Sequence, residues 1–161
     1  MALRRPLVIV NGQVEQLQSG DILNADISGV GGITMTNDES SAAIVAGMPV
    51  YSDAADKVKR AEANASGTIN VIGLVFDASI TAAAQGTIQT IGIIDLTTAQ
   101  WDAVAGTSGG LAFNTIYYLS PSTPGNLTAT APTTIGQYVC PVGIGLSATE
   151  LELNIQRPIL L

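Results

Sequence analysis

The segment that decides the fold runs from Met48 to Phe76 and reads MPVYSDAADKVKRAEANASGTINVIGLVF. Pro49 lies where a strand can begin without an amide donor, and Asn70–Phe76 is a short apolar run typical of a buried strand. Between them, Lys57–Ala61 alternates polar and apolar residues, which is typical of a strand with one buried face. The segment therefore predicts three strands joined by polar turns.

Segments of the same character recur about every ten residues along the chain, which is the spacing of sandwiches and barrels. They are rich in β-branched and aromatic residues, which suit a pleated surface. We therefore predict a mostly β fold, either a small β-barrel or a β-sandwich. The further predicted strands lie at Thr87–Ile94, Phe113–Ser120, Leu127–Ala131, Tyr138–Gly145 and Glu150–Gln156.

A hairpin is predicted at the start of the chain. Pro6–Val10 and Gln13–Leu17 flank Asn11-Gly12, the pair best suited to the two positive φ angles of a type I′ turn. We expect residues 1–20 to form an arm and hairpin, and residues 21–161 to form a single β-rich domain. That length suffices to bury a substantial core.

One short α-helix is predicted at about residues 97–105. Thr97 or Thr98 can cap its start, and Gly106 can supply a left-handed end. Ser41–Ala46, which is followed by a glycine, is compatible with one or two further helical turns.

The two halves of the predicted domain resemble each other. Val50–Ser52, Val58–Ala61 and Ile72–Val75 follow one another in the same order as a second set of segments. In both halves an aromatic strand precedes a short strand and then a glycine-bearing strand. We therefore predict two related half-meanders, 47–94 and 111–156. The second set is Tyr117–Ser120, Leu127–Thr130 and Val142–Leu146.

Composition narrows the class of function. Only 12% of the 161 residues are charged, 47% are hydrophobic and the net charge is −7. So little charge predicts that part of the surface contacts other protein, and the acidic balance argues against nucleic acid as a partner. The chain has no histidine and one cysteine, so we predict no enzymatic activity, no metal site and no cofactor. No apolar run is long enough to span a membrane, so we expect a soluble protein.

Acidic residues are the only numerous titratable groups, which leaves one enzymatic alternative to weigh. Glu150 and Glu152 alternate with leucines, so both carboxylates lie on one face of a strand. Paired carboxylates are the machinery of glycosidases, but a solvated strand face has the same pattern. We favour the solvated face, since no aromatic cluster that could bind a sugar accompanies the pair.

Two basic segments are candidate binding sites. Lys57, Lys59 and Arg60 hold half of the positive charge and could bind an acidic partner surface, or could protect an exposed strand from edge pairing. Near the start of the chain, arginines precede a strongly strand-forming run, and we expect this arm to dock on another molecule by adding a strand to its sheet. The predicted docking residues of the arm are Arg4, Arg5, Leu7 and Ile9.

Two single residues have structural interpretations that we favour over functional ones. Cys140 lies among apolar neighbours, where a cysteine acts as a small core residue more often than as a nucleophile. Trp101, on the predicted helix, is interpreted as a core anchor, although a lone tryptophan can also be an interface hot spot.

Several stretches give the chain a resemblance to virion proteins of tailed bacteriophages, in particular capsid decoration proteins, also called cement or head-stabilising proteins. Similar sequence stretches occur in tail-fibre and head-fibre proteins, so a fibre module for host attachment is the alternative. The stretches are Leu7–Asp21, Gly47–Tyr51 followed by Val58 and Ile72–Val75, Leu96–Asp102, Tyr117–Ser120, Pro124–Thr128 and Pro141–Ser147.

The resemblance implies a small β-rich subunit, made in the host cytoplasm, that binds the outer surface of a phage capsid. Such subunits bridge neighbouring major capsid proteins, as trimers near three-fold axes or as dimers on two-fold axes. The resemblance therefore implies two partners, the major capsid protein and further copies of this chain, with a homotrimer favoured. The family has no catalytic residues to carry over.

Overall fold

The structure is a computed structural model that describes residues 31–161, together with the backbone of Leu7–Val10 and Gln13–Gln16. It is mostly β, as predicted, with one short helix. The strands are β1 Leu7–Val10, β2 Gln13–Gln16, β3 Gly32–Asn37, β4 Ile44–Val45, β5 Pro49–Ala54, β6 Lys57–Arg60, β7 Val71–Val75, β8 Ser79–Ile80, β9 Gln85–Gln89, β10 Gly92–Asp95, β11 Ile116–Leu119, β12 Leu127–Thr128, β13 Tyr138–Val139, β14 Pro141–Gly145, β15 Glu150–Leu153 and β16 Ile159–Leu160; the helix, α1, is Thr98–Ala105.

The first part of the described chain forms a closed barrel in the order β3-β6-β5-β7-β9. Neighbouring strands are antiparallel except β3 and β6, whose short parallel pairing closes the barrel. Closure leaves this sheet without a free edge. The barrel core consists of Met35, Ile44, Val50, Val58, Val75, Ile80 and Ile88.

The second part forms a five-stranded antiparallel sheet in the order β10-β15-β14-β11-β12. Its inner face contributes to a larger core around the fully buried Trp101 and Tyr117. The Trp101 indole N–H donates to the carbonyl of Thr149 at 2.7 Å, so the one polar atom of this side chain is satisfied. Trp101 is therefore a core anchor rather than a surface contact.

The helix begins and ends where the sequence predicts. Thr97 is its N-cap and forms a capping box with Gln100, and Gly106 ends it in the left-handed conformation at φ 63°. The Asp102 carboxylate accepts backbone N–H bonds from Gly109 and Gly110, at 3.0 and 2.8 Å. These bonds fix the loop that leads from α1 towards β11, and they lower the pKa of Asp102.

The barrel and the five-stranded sheet have the same strand order. Strand β5 pairs with β6 and β7 as β11 pairs with β12 and β14, and both central strands have a bulge at the same point of the register. Gly73 lies opposite Val50, and Gly143 lies opposite Tyr117. A Cβ added to Gly73 would collide with the backbone oxygen of Gln89, and one at Gly143 with that of Glu152. The division into halves 47–94 and 111–156 stays a prediction, and the shared topology extends back to β3.

Several segments differ from the sequence prediction. Tyr138–Gly145 is two strands in different sheets, β13 and β14, with Cys140 between them. Ser41–Ala46 is not helical, because Ile44–Val45 forms a two-residue strand that pairs with β8. Thr87–Ile94 is two strands, since the chain turns between β9 and β10 and Gly92 has φ 86°. Strand β3 was not predicted. Its two threonines face outwards, and its other residues are a glycine, an isoleucine, a methionine and the buried Asn37.

The predicted N-terminal hairpin is confirmed at the level of the backbone. Strands β1 and β2 are antiparallel, with Val10 opposite Gln13. The predicted Asn11-Gly12 turn lies outside the described residues. Arg4 and Arg5 of the predicted arm lie outside the described residues, and Leu7 and Ile9 are described only as backbone in β1.

Replacing Trp101 by alanine should destabilise the protein by about 3–5 kcal/mol, because a fully buried indole would leave a cavity between α1 and the sheet. Urea unfolding followed by circular dichroism measures this loss. Phe113→Ala is the matched control, since this aromatic side chain is 78% exposed, and it should change stability by about 0.5 kcal/mol or less. Equal losses in the two variants would contradict the assignment of Trp101 as the anchor.

Gly73→Ala and Gly143→Ala should each destabilise the fold by about 1–3 kcal/mol, since the added methyl group would overlap backbone of the adjacent strand. The control is Gly67→Ala, at a position where an added Cβ meets nothing within 4 Å. Thermal unfolding of the three variants measures the effect. If Gly67→Ala were as destabilising as the other two, close approach of strands would not be the reason for the glycines.

Candidate interaction surfaces

The predicted basic patch is an ion-pair cluster. Lys57 Nζ lies 2.8 Å from an Asp38 oxygen, and Lys59 Nζ lies 2.6 Å from an Asp53 oxygen. The third member of the patch is bonded in the same way, because Arg60 Nε lies 3.0 Å from Glu39 Oε1. Three cations and three carboxylates give this cluster no net charge.

The cluster changes the pKa values of Glu39, Asp53 and Lys59. Partial burial raises the pKa of Glu39, but hydrogen bonds from the Arg60 side chain and backbone N–H outweigh burial and leave this pKa below its usual value. The hydrogen bond between Lys59 and Asp53 raises the lysine pKa and lowers that of the carboxyl group. Glu39, Asp53 and Lys59 are therefore charged at neutral pH.

The position of the cluster excludes the interpretation that it protects an exposed strand from edge pairing. Strand β6 is paired with β5 on one side and with β3 on the other, so Lys57 and Lys59 do not protect a free edge. A role in binding an acidic partner stays a prediction, but the carboxylates within the chain already neutralise the cations on which that binding would depend.

Glu150 and Glu152 lie on the outer face of β15, opposite the buried Leu151. Glu152 is exposed and Glu150 is half-buried. This is the arrangement of a solvated strand face, which is the interpretation that the sequence favoured.

The outer face of the five-stranded sheet carries a row of cross-strand neighbours that is mainly apolar. Ile93 is opposite Glu152, Glu152 is opposite Ile144, and Ile144 is opposite Ile116. We call these four residues the sheet-face row. Ile93 is 53% exposed and Ile116 is 44% exposed, although both are in regular strands. Around Ile116 and Ile144 the surface forms a shallow groove whose other lining residues are Pro141, Gly143, Asn154 and Gln156.

A second apolar surface lies on the two-stranded sheet of β13 and β16, which we call the β13–β16 ribbon. Ile159 is 64% exposed and Leu160 is 58% exposed, and β16 pairs with no described strand other than β13. Backbone bonds of 3.0 Å from Gly136 N–H to Leu161 O and from Leu161 N–H to Gln137 O extend the ribbon. The ribbon therefore combines exposed apolar side chains with an edge of β16 that is unpaired among the described strands.

Cys140 is buried and its thiol is unreactive. Its sulfur lies 3.8 Å from the carbonyl oxygen of Ile69 and 3.7 Å from that of Gln156. Burial raises the pKa of the thiol to about 11, so it is protonated at neutral pH and is a poor nucleophile. The residue belongs to the larger core, as the sequence indicated.

The described residues contain no group of three or more cysteine or acidic side chains placed to hold a metal ion. No helix in residues 31–161 is long and apolar enough to cross a membrane. Comparison of the chain with protein-family models, with curated proteins and with solved structures finds no match.

Acid should weaken the fold partly through Glu39. Because its pKa is lower in the folded than in the unfolded state, the carboxylate stabilises the fold above its unfolded pKa, and this stabilisation is lost as pH falls through the folded pKa. Glu39→Gln should therefore be less stable than the wild type at pH 7 and should lose less stability on acidification.

Chemical unfolding at a series of pH values tests this expectation. Arg60→Gln should reduce the acid dependence in the same way, and the double variant should add little to either single change, because both remove one interaction. Fully additive effects of the two substitutions would show that the pair does not act as a unit.

Proposed function

We propose that the protein is a noncatalytic structural subunit that binds the outer surface of a phage capsid and stabilises it by bridging neighbouring major capsid protein subunits. The phage assignment depends on the resemblance of the sequence, and the attachment depends on the surfaces described above. The single observation that supports attachment most is the β13–β16 ribbon, where exposed apolar side chains coincide with a strand edge that no described strand pairs with.

Strand addition is the binding mode that this ribbon suits. An open edge presents unpaired backbone N–H and C=O groups, and an extended segment of a partner can pair with them while its side chains cover Ile159 and Leu160. The backbone bonds would supply affinity, and the apolar side chains would be removed from water.

Binding of this kind stabilises an assembled shell by mass action. A subunit that contacts two neighbouring capsid proteins binds the assembled lattice and not the separated proteins, so it raises the free energy needed to take the lattice apart. No chemical step is required. The predicted docking arm, Arg4, Arg5, Leu7 and Ile9, is a second candidate contact for the same role.

The first experiment is to label the protein in intact virions and to locate the label by electron microscopy. Decoration of the whole head supports the proposal. A signal confined to one vertex would overturn it in favour of a tail or fibre module for host attachment, and labelling of no virion component would overturn the phage assignment itself.

The second experiment tests the ribbon on purified heads. The variant Ile159→Ser with Leu160→Ser should weaken attachment at least about tenfold, since two half-exposed aliphatic side chains no longer leave water on binding. Phe76→Ser, at a side chain that is 40% exposed on another part of the surface, is the matched control and should bind normally. Unchanged occupancy of the ribbon variant would exclude the ribbon, and deletion of residues 1–6 tests the arm in the same assay.

A further inference from the structure

The shared topology of the two sheets identifies the surface of the barrel that corresponds to the sheet-face row. In the barrel, Pro49 lies opposite Leu74, Leu74 opposite Gln89, and Gln89 opposite Gly32. This row occupies the same four strand positions as Ile116, Ile144, Glu152 and Ile93. The equivalence follows from the registers alone.

The two rows differ in what covers them. Leu74 is fully buried, although it faces away from the barrel core, because it packs into the larger core that the second part of the chain supplies. Its equivalent Ile144 is only half-buried, and Ile93 and Ile116 in the same row are exposed. Equivalent positions therefore form a contact within the chain in the barrel and an exposed face in the five-stranded sheet.

Charge restricts how a second copy can cover the open face. Glu152 lies within the row, and Asp95 and Glu150 are directly opposite each other on the same outer face. Two such faces placed against each other would bring like charges together, which disfavours binding of the face to itself. The complementary surface must supply a cation.

Among residues 31–161 there are four basic side chains, and three of them form the ion-pair cluster. The fourth, Arg157, makes no ion pair with the described residues. It lines a groove with Asn70, Gln156 and a set of apolar residues. The apolar residues are Ile69, Val71, Ile72, Ile155 and Pro158. The chain thus carries one apolar surface with acidic residues and another apolar surface with a cation.

We propose that the sheet-face row binds a second copy of this chain, with Glu152 of one copy paired to Arg157 of the next and with Ile93 and Ile116 buried in the contact. This inference concerns self-association of the isolated protein, so it does not depend on the capsid. If the purified chain stays monomeric, the face does not bind a second copy, and a different partner would have to cover it.

The experiment measures the mass of the purified full-length chain in a dilution series, by sedimentation velocity and light scattering. The wild type should be an oligomer that dissociates on dilution. Glu152→Lys and Arg157→Glu should each weaken association at least about tenfold, because each places like charges in contact. The double variant should restore association, since it exchanges the two charges and keeps the pair.

Apolar contact is tested separately with Ile93→Ser and Ile116→Ser, which should also shift the protein towards the monomer. Ile33→Ser is the matched control, at an isoleucine that is 41% exposed on barrel strand β3, and it should leave the mass unchanged. Trp101 fluorescence checks that every variant is folded. A wild type that stays monomeric at every concentration would overturn the inference, as would a double variant no better associated than either single one.

Head binding and self-association can fail independently in these assays. A monomeric protein that still decorates heads would remove the self-association surface and leave the proposed function intact. An oligomer that does not bind heads would overturn the proposed function and leave the self-association surface intact.

Discussion

Strand β7 is buried on both faces over Gly73–Val75, and the rest of the structure depends on this. Val75 points into the barrel core, whereas the adjacent Leu74 points into the larger core with Trp101 and Tyr117. One strand thus joins the two cores, and its glycine allows the neighbouring strand to approach closely. Because both faces of β7 are buried, the barrel and the second sheet cannot separate without exposing Leu74.

Much of this arrangement could be predicted because the signals are local. The threonine cap and glycine end of α1, the Asn-Gly hairpin and the apolar run of β7 each specify structure through neighbouring residues. Strand β3 could not be predicted, since its threonines and terminal glycine look like a loop until β9 and β6 pair with it. Ile44–Val45 was likewise misjudged, because the partner that makes it a strand is β8, more than thirty residues away.

For the interaction surfaces too, features set by neighbouring residues were predicted and features set by distant strands were not. Alternation alone placed Glu150 and Glu152 on the face opposite Leu151, and this is where they lie. The ion pairs of Lys57 and Arg60 were missed, because Asp38 and Glu39 reach them only through the parallel contact of β3 with β6. The Lys59 pair was also missed, although its partner Asp53 lies on the adjacent strand β5. No pattern in the sequence indicated the sheet-face row, since its members come from four strands and become neighbours only through the register. The signal that could have found it is the internal similarity of the two halves.

All five strands of the barrel lie between residues 32 and 89, and this affects the order of folding during synthesis. The barrel can close as soon as that stretch has left the ribosome, because none of its backbone pairing requires later sequence. At that stage Leu74 faces solvent until α1 and the second sheet have been translated. A barrel closed at that stage would therefore leave one apolar side exposed, which the later half of the chain covers in the finished fold.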